Sequence, residues 1–377
     1  MSINIRSIRL REITLPLKEP FKISSGEVTV RRILLVEMTD ADGVSAWSEC
    51  VAGEFPNYSP ETIATAWHAI REWVIPRALG RDLDHPDAVS AVLSENFRGH
   101  NMAKAAIEMG VWTLHAERLG ESLAATLGST RNNVPCGISI GIQQDPATLV
   151  EKAQQALATG YLKLKLKIRP GADIDYVSAV REALGPAAPL MVDANNAYVP
   201  DDFDHLKKLD ALDLIMIEQP LAWDDLLHHA RLQQVMKTPI CLDESITGVG
   251  KVEEMLALGS GRIVNIKAGR VGGLREAKAI HDLCALNGIP VWCGGMLESG
   301  IGRAYNVALA SLPNFSIPGD ISPSSRYWLR DIVTPEWRIG ADGMMTVPRA
   351  KPGIGVTVDV DTIDDLTVRT EVVSAPR

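Results

Sequence analysis

The stretch GYLKLKLKI, residues 160–168, sets three lysines, Lys163, Lys165 and Lys167, against the aliphatic residues Leu162, Leu164, Leu166 and Ile168. Strict alternation is the signature of a β-strand whose two faces differ chemically. Three lysines on one face are ordinary on an exposed antiparallel sheet. Inside a closed parallel sheet they are costly unless negative groups face them. What surrounds this strand therefore decides the fold.

Seven further short apolar runs share its character: VPCGISIG (134–141), PLMVDAN (189–195), LIMIEQP (214–220), PICLDES (239–245), RIVNIKAG (262–269), PVWCGG (290–295) and FSIPGD (315–320). Helical stretches separate them. Eight strands alternating with helices predict an α/β fold, a TIM-type (β/α)7β barrel over residues 128–326. Residues 1–127 read differently, as strands followed by helices, and predict an α+β capping domain. Within it KEPFKISSGEV (18–28) and AGEFPNYSP (52–60) read as loops, and Ser59-Pro60-Glu61 as a helix start. NMAKAAIEMGVWTLHAERLG (101–120) reads as a helix stopped by Gly120. The tail, 327–377, returns to strand and turn composition and is expected to rejoin the N-terminal sheet.

The chain has 377 residues, 46% apolar and 23% charged, with a net charge of −9. That balance weighs against nucleic acid and anionic membranes as partners. Five scattered cysteines without a C-x-x-C pair suggest reduced thiols and a cytoplasmic location. No apolar signal segment opens the sequence, and no run of membrane-spanning length occurs. A homo-oligomer is the expected assembly. GVGK (248–251) lacks the leading glycine of a phosphate loop, and His228-His229 lacks a zinc-site context.

Asp193, Glu218 and Asp243 end three successive predicted strands, 25 residues apart. In such barrels the C-terminal strand ends carry the chemistry. Three carboxylates converging there would repel one another, and a divalent cation resolves the conflict. An all-oxygen set favours Mg²⁺ or Mn²⁺ over Zn²⁺. Lys165 and Lys167 end the strand before these acids, and Lys267 ends the strand after them. Strands 2 and 6 lie across the mouth from each other, so Lys167 and Lys267 are expected to oppose one another. Lys163, deepest on its strand, reads as a neutralising partner near the barrel floor.

This set suits abstraction of a proton α to a carboxylate, with the resulting enediolate stabilised by the cation. A lysine base must be partly neutral. Nearby cations, such as Lys165 beside Lys167 or Arg270 beside Lys267, are expected to lower its pKa toward ~7–8. Two opposed bases permit racemisation, whereas one base acting also as acid permits elimination. A small-molecule carboxylate is the expected partner. A non-catalytic carboxylate-binding barrel is the competing reading of a different class.

The motifs KLKLKI, VDANNAY, IEQPL, CLDES, NIKAGRVGG and WCGGMLESGIGRA together resemble the enolase superfamily, within it the muconate-lactonising subgroup and the o-succinylbenzoate synthase / N-succinylamino acid racemase family. The resemblance spans nearly the whole chain. It implies that Lys167 and Lys267 are the acid/base pair and that Asp193, Glu218 and Asp243 are the Mg²⁺ ligands. It implies that Lys165 supports the substrate carboxylate and that Asn195 is a polar neighbour. Ser139, Gly295 and Met296 would contact the succinyl part or ring, and the loops carrying Phe21 and Tyr58 would close over it. Arg270 resembles the arginine of racemase-competent members. Muconate cycloisomerase, or another acid-sugar or dipeptide-type enzyme of the superfamily, is the alternative. GDISPSS, with Asp320, Ser322 and Ser324, lacks the D-x-D of dipeptide epimerases. Dehydration in menaquinone synthesis and racemisation of N-acylamino acids are both open at this point.

Overall fold

The structure, a computed structural model, describes residues 2–23 and 26–376. The chain begins with an antiparallel meander of β1 (Ile3–Ile23), β2 (Gly26–Asp40) and β3 (Ser45–Cys50). Its alternation segregates two apolar faces. Ile8, Leu10, Leu34 and Val36 pack against cap residues including Met102, Ala106 and Val111 of helix α1 (Asn101–Leu119). Ile13, Leu15, Ile33 and Leu35 belong to the larger core shared with the barrel. Gly120 ends α1 in the left-handed conformation, with φ 67°, which costs glycine little.

Two local expectations are corrected. The loop expected over 18–28 is largely strand, because β1 and β2 stay paired out to Phe21↔Val28 and Ile23↔Gly26. β-branched Val28 and Val30 extend the ladder, while residues 24–25 lie outside the described part. The helix after the second loop starts at Ile63, not near Ser59. Thr62 and Thr65 exchange side-chain to backbone hydrogen bonds there, a reciprocal cap that Ser59 does not supply.

Seven parallel strands then pair in chain order: β4 (Ile138–Ile140), β5 (Leu164–Lys167), β6 (Leu190–Asp193), β7 (Ile217–Glu218), β8 (Ile240–Leu242), β9 (Ile263–Ile266) and β10 (Val291–Cys293). Their outward residues, such as Leu164, Val192, Leu242 and Ile266, join the main core. Their inward residues include Met191, Met216, Cys241, Ile263 and Trp292, which form a separate small apolar cluster. The charged residues of β5–β9 share the parity of that cluster and so stand above it, inside the barrel.

The eighth run is not a ladder strand. Phe315 and Gly319 each make a single parallel bridge, to Val291 and Cys136. Pro318 has no N–H to continue a ladder. The segment still joins the two ends of the sheet, through Asp320 N to Cys293 O at 2.8 Å and Gly137 N to Gly319 O at 2.6 Å.

Helices α2 (Pro146–Ala158), α3 (Ile174–Leu184), α4 (Leu226–Val235), α5 (Val249–Leu258), α6 (Leu274–Leu286) and α7 (Gly300–Ala310) alternate with the strands. Two buried cap carboxylates dock on the N-termini of the last two. Glu108 accepts from the backbone N–H groups of Leu274 and Arg275. Glu49 accepts from Ser299 N, Ser299 Oγ and Gly302 N. Unpaired N–H groups and the positive end of a helix favour such an arrangement. The chain finishes with β11 (Thr367–Ser374), antiparallel to β1. Among the described residues no helix is long and apolar enough to cross a membrane.

Candidate active site

The lysine face of β5 enters the barrel, where acids meet it. Lys163 is fully buried, 3.5 Å above the Trp292 ring and 3.4 Å from Asp320. Its stem occupies the space that a Cβ on Gly137 would need, 2.8 Å from Lys163 Cε. Lys165 Nζ lies 2.5 Å from Asp320, and 3.2 Å from both Asp193 and Glu218. Burial lowers the Lys165 pKa, but these three carboxylates outweigh it and raise the net value. Lys167 Nζ donates to Asp193 at 2.6 Å and to Asn195 Oδ1 at 2.7 Å. Here burial prevails, with help from Lys165, and the Lys167 pKa is lowered.

Four strands away, Lys267 Nζ donates to Asp243 at 2.8 Å and to Tyr58 Oη at 3.1 Å. A Cβ on Gly294 would stand 2.5 Å from its Cε, so only glycine leaves room for this stem. Arg270 does not lower the Lys267 pKa as expected. Burial does lower it, but the field of Tyr58, Glu218 and Glu244 raises it further. The guanidinium is committed to the Asp243 carboxylate, the Asn265 and Ile246 carbonyls and Tyr58 Oη. It therefore orients an acid; it does not poise a base.

Lys165, Lys167, Lys267, Asn195, Ser139, Gly295, Met296, Phe21 and Tyr58 all line one cavity of about 500 Å³ between cap and barrel. Asp193, Glu218, Asp243 and Arg270 lie buried beside its floor. Ser139 Oγ is buried with no hydrogen-bond partner. Sequence reading gave no role to Asp320, Glu244 or Asn265. Asn265 donates to Glu218 Oε1 at 2.7 Å. Glu244 Oε1 accepts from the side chains of Asn195 and Asn196, while its Oε2 has no partner. The inward parity of Asn265, two residues before Lys267, was the available signal.

As arranged, no three acid, histidine or thiol side chains among the described residues enclose an ion. Asp193 is drawn to Lys167, and Asp243 to Lys267 and Arg270. The donor chemistry nevertheless fits a hard cation. Glu218 is pushed up from the ordinary carboxylate range, first by burial and then by the Asp193 carboxylate. Glu244 is raised by the same two causes. Buried acids that resist joint ionisation are the condition a divalent ion relieves.

Comparison with known proteins follows the same lines. Residues 5–128 match the Mandelate racemase / muconate lactonizing enzyme N-terminal domain, and residues 148–362 the Enolase C-terminal domain-like family. An o-succinylbenzoate synthase from Geobacillus stearothermophilus is 50% identical over 367 residues, 97% of each chain. An N-succinylamino acid racemase from an Amycolatopsis species is 45% identical over 365 residues, 97% of this chain and 98% of the other. The solved structure of an enolase-superfamily member from Listeria innocua matches with a TM-score of 0.95 at 42% identity, over 99% of each chain.

Proposed function

The chain belongs to the mandelate racemase / muconate lactonizing enzyme family of the enolase superfamily, and from that premise we propose that it removes the α-proton of a succinylated carboxylate substrate, as o-succinylbenzoate synthase, N-succinylamino acid racemase or both. The observation that carries this reading is the lysine pair. Lys167 and Lys267 stand on strands separated by β6, β7 and β8, each paired with a different acid, and both line one cavity.

Enolase-superfamily enzymes use a divalent metal. Here Asp193, Glu218 and Asp243 would hold Mg²⁺ or Mn²⁺, which supplies positive charge for the substrate carboxylate and its enediolate. Lys165, kept cationic by three acids, is a fixed positive charge beside that carboxylate. In racemisation one lysine takes the α-proton and the other returns a proton to the opposite face. In dehydration Lys167 takes the proton and gives it to the departing hydroxide, which leaves as water. Trp292, Cys241 and the other apolar residues of the barrel floor keep bulk water from below. Five buried free cysteines support a reducing compartment, which we take to be the cytoplasm.

The test is turnover of the purified protein with Mg²⁺ on the hydroxylated o-succinylbenzoate precursor, N-succinylamino acids, dipeptides and cis,cis-muconate. Turnover of the succinylated substrates is expected. Preference for dipeptides or muconate would overturn the reading.

A further inference from the structure

Arg31 lies on β2 at the parity of Ile33 and Leu35, the strand face that looks into the barrel-side core. It is 5% exposed and lines the same cavity as Lys165, Lys167 and Lys267. Its guanidinium donates one hydrogen bond, from Nη2 to the Val51 carbonyl at 2.8 Å. Its Nε has no partner. Among the described residues it makes no ion pair.

That is an uncommon condition for a buried arginine, which carries five donors and a permanent charge. Glu49, Glu298 and Glu54 act on it through space, but each is engaged elsewhere. Glu49 is held by Ser299 and Gly302. Glu298 is held by Met296 N, Asn306 and Arg303. Glu54 lies 3.7 Å from Arg32. The other cap acids on the cavity wall are also taken, Glu27 by Lys22 and Glu61 by the N-terminus of α1. The protein thus presents a planar cationic fork on the cap side of a cavity whose floor holds the lysines, and leaves it without an anion.

We infer that Arg31 receives the second, distal carboxylate of a dicarboxylate substrate, while the first lies at the lysine-and-acid floor. The inference rests on the carboxylate reading of that floor and adds the subsite that separates succinyl from neutral acyl groups. Arginine matches a carboxylate with two parallel hydrogen bonds, a geometry that lysine does not reproduce. A ligand carboxylate there would pair the buried charge and occupy the free Nε.

The experiment is calorimetric binding to the Mg²⁺-loaded protein of two probes. o-Succinylbenzoate and 2-butanoylbenzoate share the ring carboxylate and chain length and differ only in the distal carboxylate. Wild type is expected to bind o-succinylbenzoate more tightly. Arg31→Gln should weaken that probe by about tenfold to a hundredfold, the range for a lost hydrogen bond to a charged group, and leave 2-butanoylbenzoate within about twofold. Equal loss for both probes, or for neither, overturns the role of Arg31. Should Arg31→Gln fail to fold, Arg31→Lys decides by the same ratio, because it keeps the charge and loses the fork; an unchanged ratio overturns the inference. Wild type that binds neither probe refutes the carboxylate reading of the floor, and Arg31's role with it. Tight, equal binding of both by wild type refutes Arg31's role alone.

Discussion

Lys165 Nζ lies 2.5 Å from one carboxylate oxygen of Asp320, whose other oxygen faces Lys163 Nζ at 3.4 Å. One acid on the closing segment of the barrel thus serves two buried lysines from the same strand. Asp320 is held below the usual carboxylate range because, although burial raises its pKa, Lys165 and Lys163 outweigh that effect. This is why a strand can carry a lysine face inside a barrel: its counter-charges come from the far side of the closure as well as from β6 and β7.

Asp320→Asn should destabilise the protein by about 3–5 kcal/mol, because it takes from buried Lys163 its carboxylate partner and from Lys165 the nearest of three. Adding Lys163→Met should recover part of that loss, since an apolar chain suits the Trp292 face and removes one uncompensated charge. Urea unfolding of the single and double variants measures it. A double variant no more stable than Asp320→Asn would show that the charge on Lys163 is not what Asp320 holds.

Lys167→Ala and Lys267→Ala should each cut racemisation by about 10²–10⁴-fold, the usual contribution of one positioned proton transfer. Because the lysines sit on opposite sides of the mouth, each variant should retain α-proton exchange with solvent for one enantiomer only, with opposite preferences. In dehydration Lys267 should act chiefly as a fixed cation. Proton NMR in deuterated water on separate D and L substrates reads this directly. Racemisation near the wild-type rate in either variant would rule out the two-base scheme.

Chelation should abolish turnover, and Mg²⁺ or Mn²⁺ should restore it. Asp243→Asn should lose both the ion and the activity while keeping the fold, as judged by metal titration and circular dichroism. Full turnover in chelator would refute the three-carboxylate site.

Glu108 supplies a pH-dependence with a definite sign. Burial pushes its pKa up to about 7, against an ordinary 4.5. Between those values the native state holds more protons than the unfolded chain, so stability is fully present below 4.5 and is lost as pH rises toward 7. Glu108→Gln lacks this titration. Its unfolding free energy should therefore fall less than that of wild type between pH 5 and 8, by up to about 3 kcal/mol. Parallel pH curves for the two proteins would contradict the assignment.

The barrel was legible because its information is periodic. Lys167, Asp193, Glu218, Asp243 and Lys267 recur at 24–26-residue intervals, and one inward position per strand end brings them to one mouth. Alternation also told which residues of 160–168 share a face. The eighth strand was over-read, because FSIPGD has the composition of a strand but its Pro318 prevents a ladder. The state of Lys267 was misjudged for a different reason. Spacing along a chain puts Arg270 near Lys267, but whether a guanidinium faces a lysine or an acid depends on side-chain direction. Arg31 and Glu244 were not legible as site residues at all. The surroundings of Arg31 come from the closing of the cap over the barrel, and no local pattern encodes that approach.

Glu108 and Glu49 meet the barrel at two different helices, α6 and α7. A body pinned at two separate points cannot rock about either without breaking the other, and each anchor is a buried, multiply bonded carboxylate. The two anchors couple the cap sheet to the barrel and oppose a swing of the cap as a door. Traffic to the cavity must instead break smaller contacts: Ile142 N to Lys22 O beside Phe21, and the bonds that tie Tyr58 Oη to Lys267, Arg270 and Asp243. Exchange of ligand in this protein is a matter of fingertips, with the palm held still.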